Sequence, residues 1–252
     1  MRKVINSTYI NYASELDYYI EHYDTKGKAF GNQERNSLRL FNLGDQKINI
    51  KSFKKPNAVN KIVYKFFRKS KAQRSFEYAN KLKSLGIGTP NPIAFYEEDS
   101  GLLFGKSYYV SVQLNDDITY RELTTDFNIP NYEAILRAFT RFTFNLHEKG
   151  INFLDHSPGN TLIKYENGNY KFYLVDLNRI KFETMTFKKR IKNFAKLTIH
   201  KSMIEIMSNE YAILVNKDYK TVYDLMWHET EMFQASFHKR RRLKKKIKFW
   251  KK

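Results

Sequence analysis

The sequence predicts an α+β fold in two lobes, a small antiparallel sheet carrying one helix followed by a mainly helical half. Three observations predict it. Short alternating strands and Gly-containing turns begin at Lys28; one well-patterned helix, KSKAQRSFEYANKLKSLG, interrupts them; and helical patterns dominate from Phe187 onward. At 252 residues the chain can bury a full core, which favours one two-lobed unit over two independent domains. The expected division is a sheet lobe over residues 1–114, a helical lobe over 115–235 and a basic amphipathic tail over 236–252.

Taken in order, residues 1 to about 26 read as helical and then irregular, with no role assigned. AFGNQERN is a polar turn with one glycine, Gly31; SLRLFNL alternates, Gly44-Asp45 turns the chain, and KINIKSF alternates again, giving a hairpin or meander. Alternation sets Lys51 opposite Ile48 and Ile50, on the non-apolar face of its strand; Lys54 and Lys55 are close competitors. In the helix that follows, Phe76, Ala79, Leu82 and Leu85 recur about three apart, Gly86 is the stop, and Glu77 is the single acid. TPNPI leads into strands near IAFYEE and SYYVSVQL, and Leu114 to Asp117 is the expected hinge between lobes. Beyond the central stretch, Phe187, Ile191 and Phe194 form one stripe. Tyr223, Met226, Phe233 and Phe237 form another, which Leu243, Ile247 and Trp250 continue through the basic tail.

Composition narrows the function. There is no cysteine, so disulfides and thiolate-held zinc are excluded and a reducing compartment is expected. The N-terminus lacks the apolar run of a signal peptide, and no stretch approaches the roughly 20 apolar residues of a membrane span; a cytoplasmic protein is expected. The six histidines show no metal-ligand spacing and read as surface or packing residues. The net charge of +19 is clustered: KRRRLKKKIKFWKK at the end carries ten Lys or Arg and no acid, and residues 47–83 carry twelve against one Glu. Such clustering implies an anionic partner. A basic amphipathic helix with a Trp near its end suits an anionic membrane surface. No nucleic-acid-binding module is recognisable, so no specific nucleic acid is expected.

The stretch the chain is organised around is LHEKGINFLDHSPGNTLIKYENGNYKFYLVDLNR, Leu146 to Arg179. An apolar helix ends, a polar turn follows, and two short strands, TLIK and KFYLV, are joined by a turn at Glu166 to Asn169. Asp155, Asn160 five residues later, and Asp176 after the second strand have the order of the protein-kinase catalytic and metal-binding loops. One Asp orients the attacking hydroxyl, the Asn holds Mg²⁺, and the later Asp holds the metal that bridges the nucleotide phosphates. Any of these alone is an ordinary turn residue; the ordered combination points to phosphoryl transfer. In that arrangement Lys51 reaches the ATP phosphates, Glu77 holds Lys51, a Gly31-containing turn covers the phosphates, and backbone near Leu114 meets the adenine; the alternative for Glu77 is an i,i+4 surface pair with Lys81.

The segments IKSFKKPN, FFRKSKAQRSFEYANKLKSLGIGTPNPIA, LHEKGINFLDHSPGNTLI and FYLVDLNR resemble the lipopolysaccharide kinase (Kdo/WaaP) family, in its Bacteroides-like form, over residues 28 to about 200. The resemblance implies a protein-kinase-like fold and ATP- and Mg²⁺-dependent phosphorylation of a Kdo or heptose hydroxyl in the lipopolysaccharide inner core. The partners implied are a Kdo-lipid A or heptosylated-core acceptor and the cytoplasmic face of an anionic inner membrane. It places the nucleotide Lys at Lys51, its Glu at Glu77, the catalytic Asp at Asp155, and the metal ligands at Asn160 and Asp176. Two departures stand out. Phe153 occupies the position of a His that usually supports the loop, and Asn178 replaces the Gly of D-F-G, with Asn able to adopt the same left-handed backbone. No A-P-E follows, which argues against a protein substrate laid along an activation segment. A phosphotransferase acting on another hydroxyl, and a scaffold without catalysis, remain as alternatives. Arg179 is read either as a substrate-phosphate contact or as the cap of a neighbouring carboxylate.

Overall fold

The computed structural model describes residues 1–31, 36–54, 69–100 and 103–249. The chain divides into two compact units, Met1–Asn115 with Leu174–Asn178, and Asp116–Tyr173 with Arg179–Lys252.

The first unit is built on a six-stranded sheet. Its strands are β1 (Arg2–Ile5), β2 (Lys28–Phe30), β3 (Asn36–Leu43), β4 (Gln46–Phe53), β5 (Pro92–Ser100) and β6 (Leu103–Val112), in the spatial order β1-β5-β6-β4-β3-β2. β3 and β4 meet through a two-residue turn, Leu43 facing Gln46, with Gly44 at a φ of 55° that glycine adopts without steric cost. Helix α1 (Ala13–Glu21) sets Leu16 and Ile20 on one side, and these join Ile48, Ile50, Tyr96, Tyr108 and Val110 in a buried cluster. Helix α2 (Lys71–Ser84) is capped by the Ser70 hydroxyl, which accepts from the Gln73 N–H, and it meets the sheet through Phe76 and Phe95, 5.5 Å between ring centres. The predicted α2 stripe is buried at Phe76, Ala79 and Leu82.

β1 corrects the helical reading of the first residues. RKVI is four residues long, half charged and mostly exposed, so it carries too little periodicity to be read locally. Its strand form comes from the neighbouring edge, where Val4 faces Phe95 in antiparallel register.

The second unit is mainly helical. Its helices are α3 (Tyr120–Leu123), α4 (Tyr132–Glu148), α5 (Phe187–Phe194), α6 (Lys201–Val215) and α7 (Tyr219–Phe249). Leu136, Phe139, Phe194, Met207, Tyr211 and Met226 lie in one buried cluster that joins α4, α5, α6 and α7. Two small sheets flank it: β7 (Ile118–Thr119), β9 (Thr161–Glu166) and β10 (Asn169–Leu174) in the order β10-β9-β7, and β8 (Ile151–Phe153) with β11 (Ile180–Phe182). Asn167 and Gly168 both take positive φ, 50° and 77°, the conformation that a two-residue hairpin of this handedness requires between β9 and β10.

The tail expected to begin at 236 is continuous with the helix before it. α7 runs 31 residues without a Gly or Pro, and its Lys and Arg are good helix formers, so nothing in the sequence stops it. Its apolar side is progressively uncovered: Met226 is buried, Phe233 half-buried, and Phe237 and Leu243 are exposed. Trp250 lies outside the described residues. Among the described residues no helix is long and apolar enough to cross a membrane.

Candidate functional site

In the first unit the chemistry gathers on β4. Its alternation buries Ile48 and Ile50 and turns Lys51 to the other face, where the Lys51 Nζ lies 5.4 Å from the Phe53 ring centre. The Lys51 Nζ is 2.8 Å from Asp176 Oδ1. Residues Leu174–Asn178 are bound into this unit by three hydrogen bonds. The Leu174 N–H donates to the Gly88 carbonyl at 2.9 Å, the Thr89 hydroxyl to the Leu174 carbonyl at 2.8 Å, and the Arg74 Nη1 to the Asn178 carbonyl at 2.8 Å. The backbone of Asp176 is left-handed, φ 58°, a conformation that costs a non-glycine residue energy and aims its carboxylate at Lys51 and at the Asn178 amide, 2.6 Å away.

Glu77 differs from its expected role. Lys51 pairs with Asp176, whereas both Glu77 carboxylate oxygens are held by Lys69, at 2.9 and 2.7 Å, and one also by Gln73 at 2.9 Å. A carboxylate already bound by an adjacent lysine and an amide on its own helix has little reason to reach the strand lysine. Gly31 directly follows β2 with φ 65°, and an added Cβ there meets nothing within 4 Å. Residues 32–35 lie outside the described residues, as does Lys55. Leu114 follows β6 and is half-buried; its carbonyl accepts from the Gln113 side-chain amide at 3.0 Å.

In the second unit the loop after β8 carries Asp155 and Asn160. The Asn160 Nδ2 donates to the Asp155 carbonyl at 2.8 Å, which pins the loop; its Oδ1 makes no hydrogen bond among the described residues. Asp155 Oδ1 is 3.1 Å from the Arg179 Nη1 and 3.5 Å from the Lys196 Nζ. Of the two readings of Arg179, the structure shows the carboxylate contact. Lys196, on the segment after α5, also donates to the Leu154 carbonyl.

The loop is anchored from beneath by a buried polar hub. The Asn193 Nδ2 donates to the Phe153 carbonyl at 2.9 Å, which fixes the orientation of its amide. The Asn193 Oδ1 therefore faces two imidazoles, His156 Nδ1 at 3.0 Å and His147 Nε2 at 3.3 Å, and both must donate to it. The Tyr211 hydroxyl is 2.8 Å from the other His147 nitrogen. His156 Nε2 is buried and has no partner among the described residues. Burial pushes His147 down to about 3 and His156 down to about 4, so both stay neutral. These two are packing histidines, as expected. The support missing at Phe153, which is fully buried and apolar, is supplied through its backbone carbonyl by Asn193. Nothing local in the sequence marks Asn193, Lys196 or Arg74 as part of the site; each is brought there by tertiary packing.

Each unit carries one oxygen ligand of the hard type. Among the described residues no three His, Asp or Glu side chains gather as a metal cage. Mg²⁺ beside phosphates takes only one or two protein oxygens; the Asp176 carboxylate in the first unit and the Asn160 amide oxygen in the second are each of that hard type.

A family model for the lipopolysaccharide kinase (Kdo/WaaP) family matches residues 15–222. Among solved structures, one described as WaaP in complex with acyl carrier protein shares the fold with a TM-score of 0.65 at 14% identity, covering 95% of this chain and 99% of that one. No curated protein sequence matches the chain.

Proposed function

The chain belongs to the lipopolysaccharide kinase (Kdo/WaaP) family and has a two-lobed, protein-kinase-like α+β fold; from this premise we propose that it transfers the γ-phosphoryl group of ATP to a Kdo or heptose hydroxyl of the lipopolysaccharide inner core. The observation that supports this most is the 2.8 Å pair between Lys51 and Asp176, two residues far apart in sequence and each expected at the nucleotide phosphates.

When bound, Mg²⁺-ATP supplies the phosphoryl group and neutralises much of the phosphate charge. The chain's residues do the rest. Lys51 would bind phosphate oxygens. Asp176 and Asn160 offer oxygens to the cation. Asp155 orients the acceptor hydroxyl; with Oδ1 held by Arg179 and Lys196, its Oδ2 is the atom that accepts the hydroxyl proton as transfer proceeds. Positioning and electrostatics, rather than covalent chemistry, carry this class of reaction.

The enzyme would act at the cytoplasmic face of an anionic membrane, where the exposed basic end of α7, Lys239 to Lys246, meets acidic lipid headgroups. The test of the catalytic assignment is ATP turnover with acceptor for Asp155→Ala and Asp176→Ala. Both are expected to lose transfer while circular dichroism stays unchanged; near-wild-type turnover in either would remove the assignment.

A further inference from the structure

Beneath the Asp155 loop, within the second unit, lies a groove of about 620 Å³. One wall is α5 with the segment after it, the other is α7, and the floor is β8 with the start of the loop. Six Lys or Arg side chains line it against one acid, Glu229. Lys189 pairs with Glu183 and Arg240 donates to the Ser236 carbonyl; the other four divide into two groups. Arg179 and Lys196 reach Asp155, so one end of the groove is at the residue expected to orient the acceptor hydroxyl. Lys188 and Lys192 are exposed and form no salt bridge among the described residues, although thirteen other Lys and Arg residues do. They stand one helical turn apart on α5 and so share a face. Across from them Phe233 offers a half-buried ring, with the Lys196 ammonium 5.8 Å from its centre.

We propose that this groove is the acceptor subsite and that it takes a saccharide bearing its own phosphate or carboxylate, with Lys188 and Lys192 binding that anion and Phe233 lying against a sugar ring. The inference rests on the reading of the chain as a saccharide kinase. The volume is that of a small-molecule site, and unpaired cations on one wall select anions over neutral sugars by Coulomb attraction with little desolvation cost, because they remain wet. The same cations leave the proton-accepting oxygen of Asp155 untouched, since among the described residues the cations that contact that carboxylate are Arg179 and Lys196. Anion recognition and hydroxyl activation are thereby assigned to different residues.

The experiment is titration calorimetry with three probes, Kdo (a carboxylate), glucosamine 1-phosphate (a phosphate) and methyl α-mannoside (neutral), on the full chain and on its Lys188→Ala/Lys192→Ala variant. Wild type is expected to bind at least one charged probe and to bind the neutral one more weakly. The variant is expected to lose about tenfold in affinity for the charged probe, two exposed ion pairs being individually weak, with ATP affinity unchanged. Whichever charged probe binds more tightly identifies the anion. Equal binding of charged and neutral probes, no binding of any, or an unchanged variant would overturn the subsite. Binding is read without turnover, so a wild type that binds the charged probe through Lys188 and Lys192 yet phosphorylates no saccharide would fail the kinase reading and leave the anion groove standing.

Discussion

Acidification should unfold this protein through two histidines. His147 and His156 are 1% exposed, share the Asn193 carbonyl oxygen, and are held neutral in the fold, at about 3 and about 4 against 6.5 for a free imidazole. Because the folded values are depressed, the unfolded chain binds more protons than the native one as pH falls below 6.5, and stability is lost over that window. From pH 7 to pH 5 the loss is about 2 kcal/mol for each histidine and about 4 kcal/mol for the pair. Protonating His156 would place a charge on a buried Nε2 that has no partner among the described residues. Urea unfolding at pH 7, 6 and 5, followed by far-ultraviolet circular dichroism, reads the effect as a falling midpoint at constant slope. His156→Phe keeps an aromatic ring beside Phe139 and Phe153 and removes one titration, so its loss over the same window should be about half the wild-type loss. A wild-type midpoint that is flat from pH 7 to 5, or an equal loss in His156→Phe, would refute the reasoning.

Three further outcomes are expected. Gly150→Ala places a side chain at φ 66° with its Cβ 2.9 Å from the Glu183 carbonyl oxygen, a backbone atom that cannot swing aside; thermal unfolding should show a loss of about 2 kcal/mol. Asn193→Ala leaves the Phe153 carbonyl and two imidazoles short of partners, for a loss of about 3 kcal/mol in urea unfolding, and kcat should fall with it because the Asp155 loop loses its anchor. Deleting residues 239–252 should weaken sedimentation with anionic liposomes, most at low salt, and spare turnover on a soluble acceptor; unchanged liposome binding would remove the membrane role of α7.

The elements with dense local signals were legible in the sequence. The β9–β10 hairpin follows from Asn167-Gly168, α2 from its apolar spacing between Ser70 and Gly86, and the facing of Lys51 from the alternation around Ile48 and Ile50. β1 was not legible because its conformation is imposed by the edge of β5. The partners that Glu77 has in the structure were not legible, because Lys69 and Gln73 are brought to its carboxylate by the start of α2 and no local pattern singles them out. The Asn193 hub and the Lys196 contact join residues some forty positions apart through packing of α5 against β8. Asn and Lys at such positions are indistinguishable from surface residues until the fold is known. The tail boundary at 236 followed charge, which changes abruptly there, whereas helix continuation depends on backbone propensity, which does not.

The most direct test of the central claim is ³¹P nuclear magnetic resonance of the saccharide after incubation with the full chain, ATP and Mg²⁺, using Kdo-lipid A and heptosylated core as acceptors. A new phosphomonoester signal on one acceptor, present with wild type and absent with Asp155→Ala, is the predicted result. ATP binding by wild type with no phosphomonoester on either acceptor would contradict it.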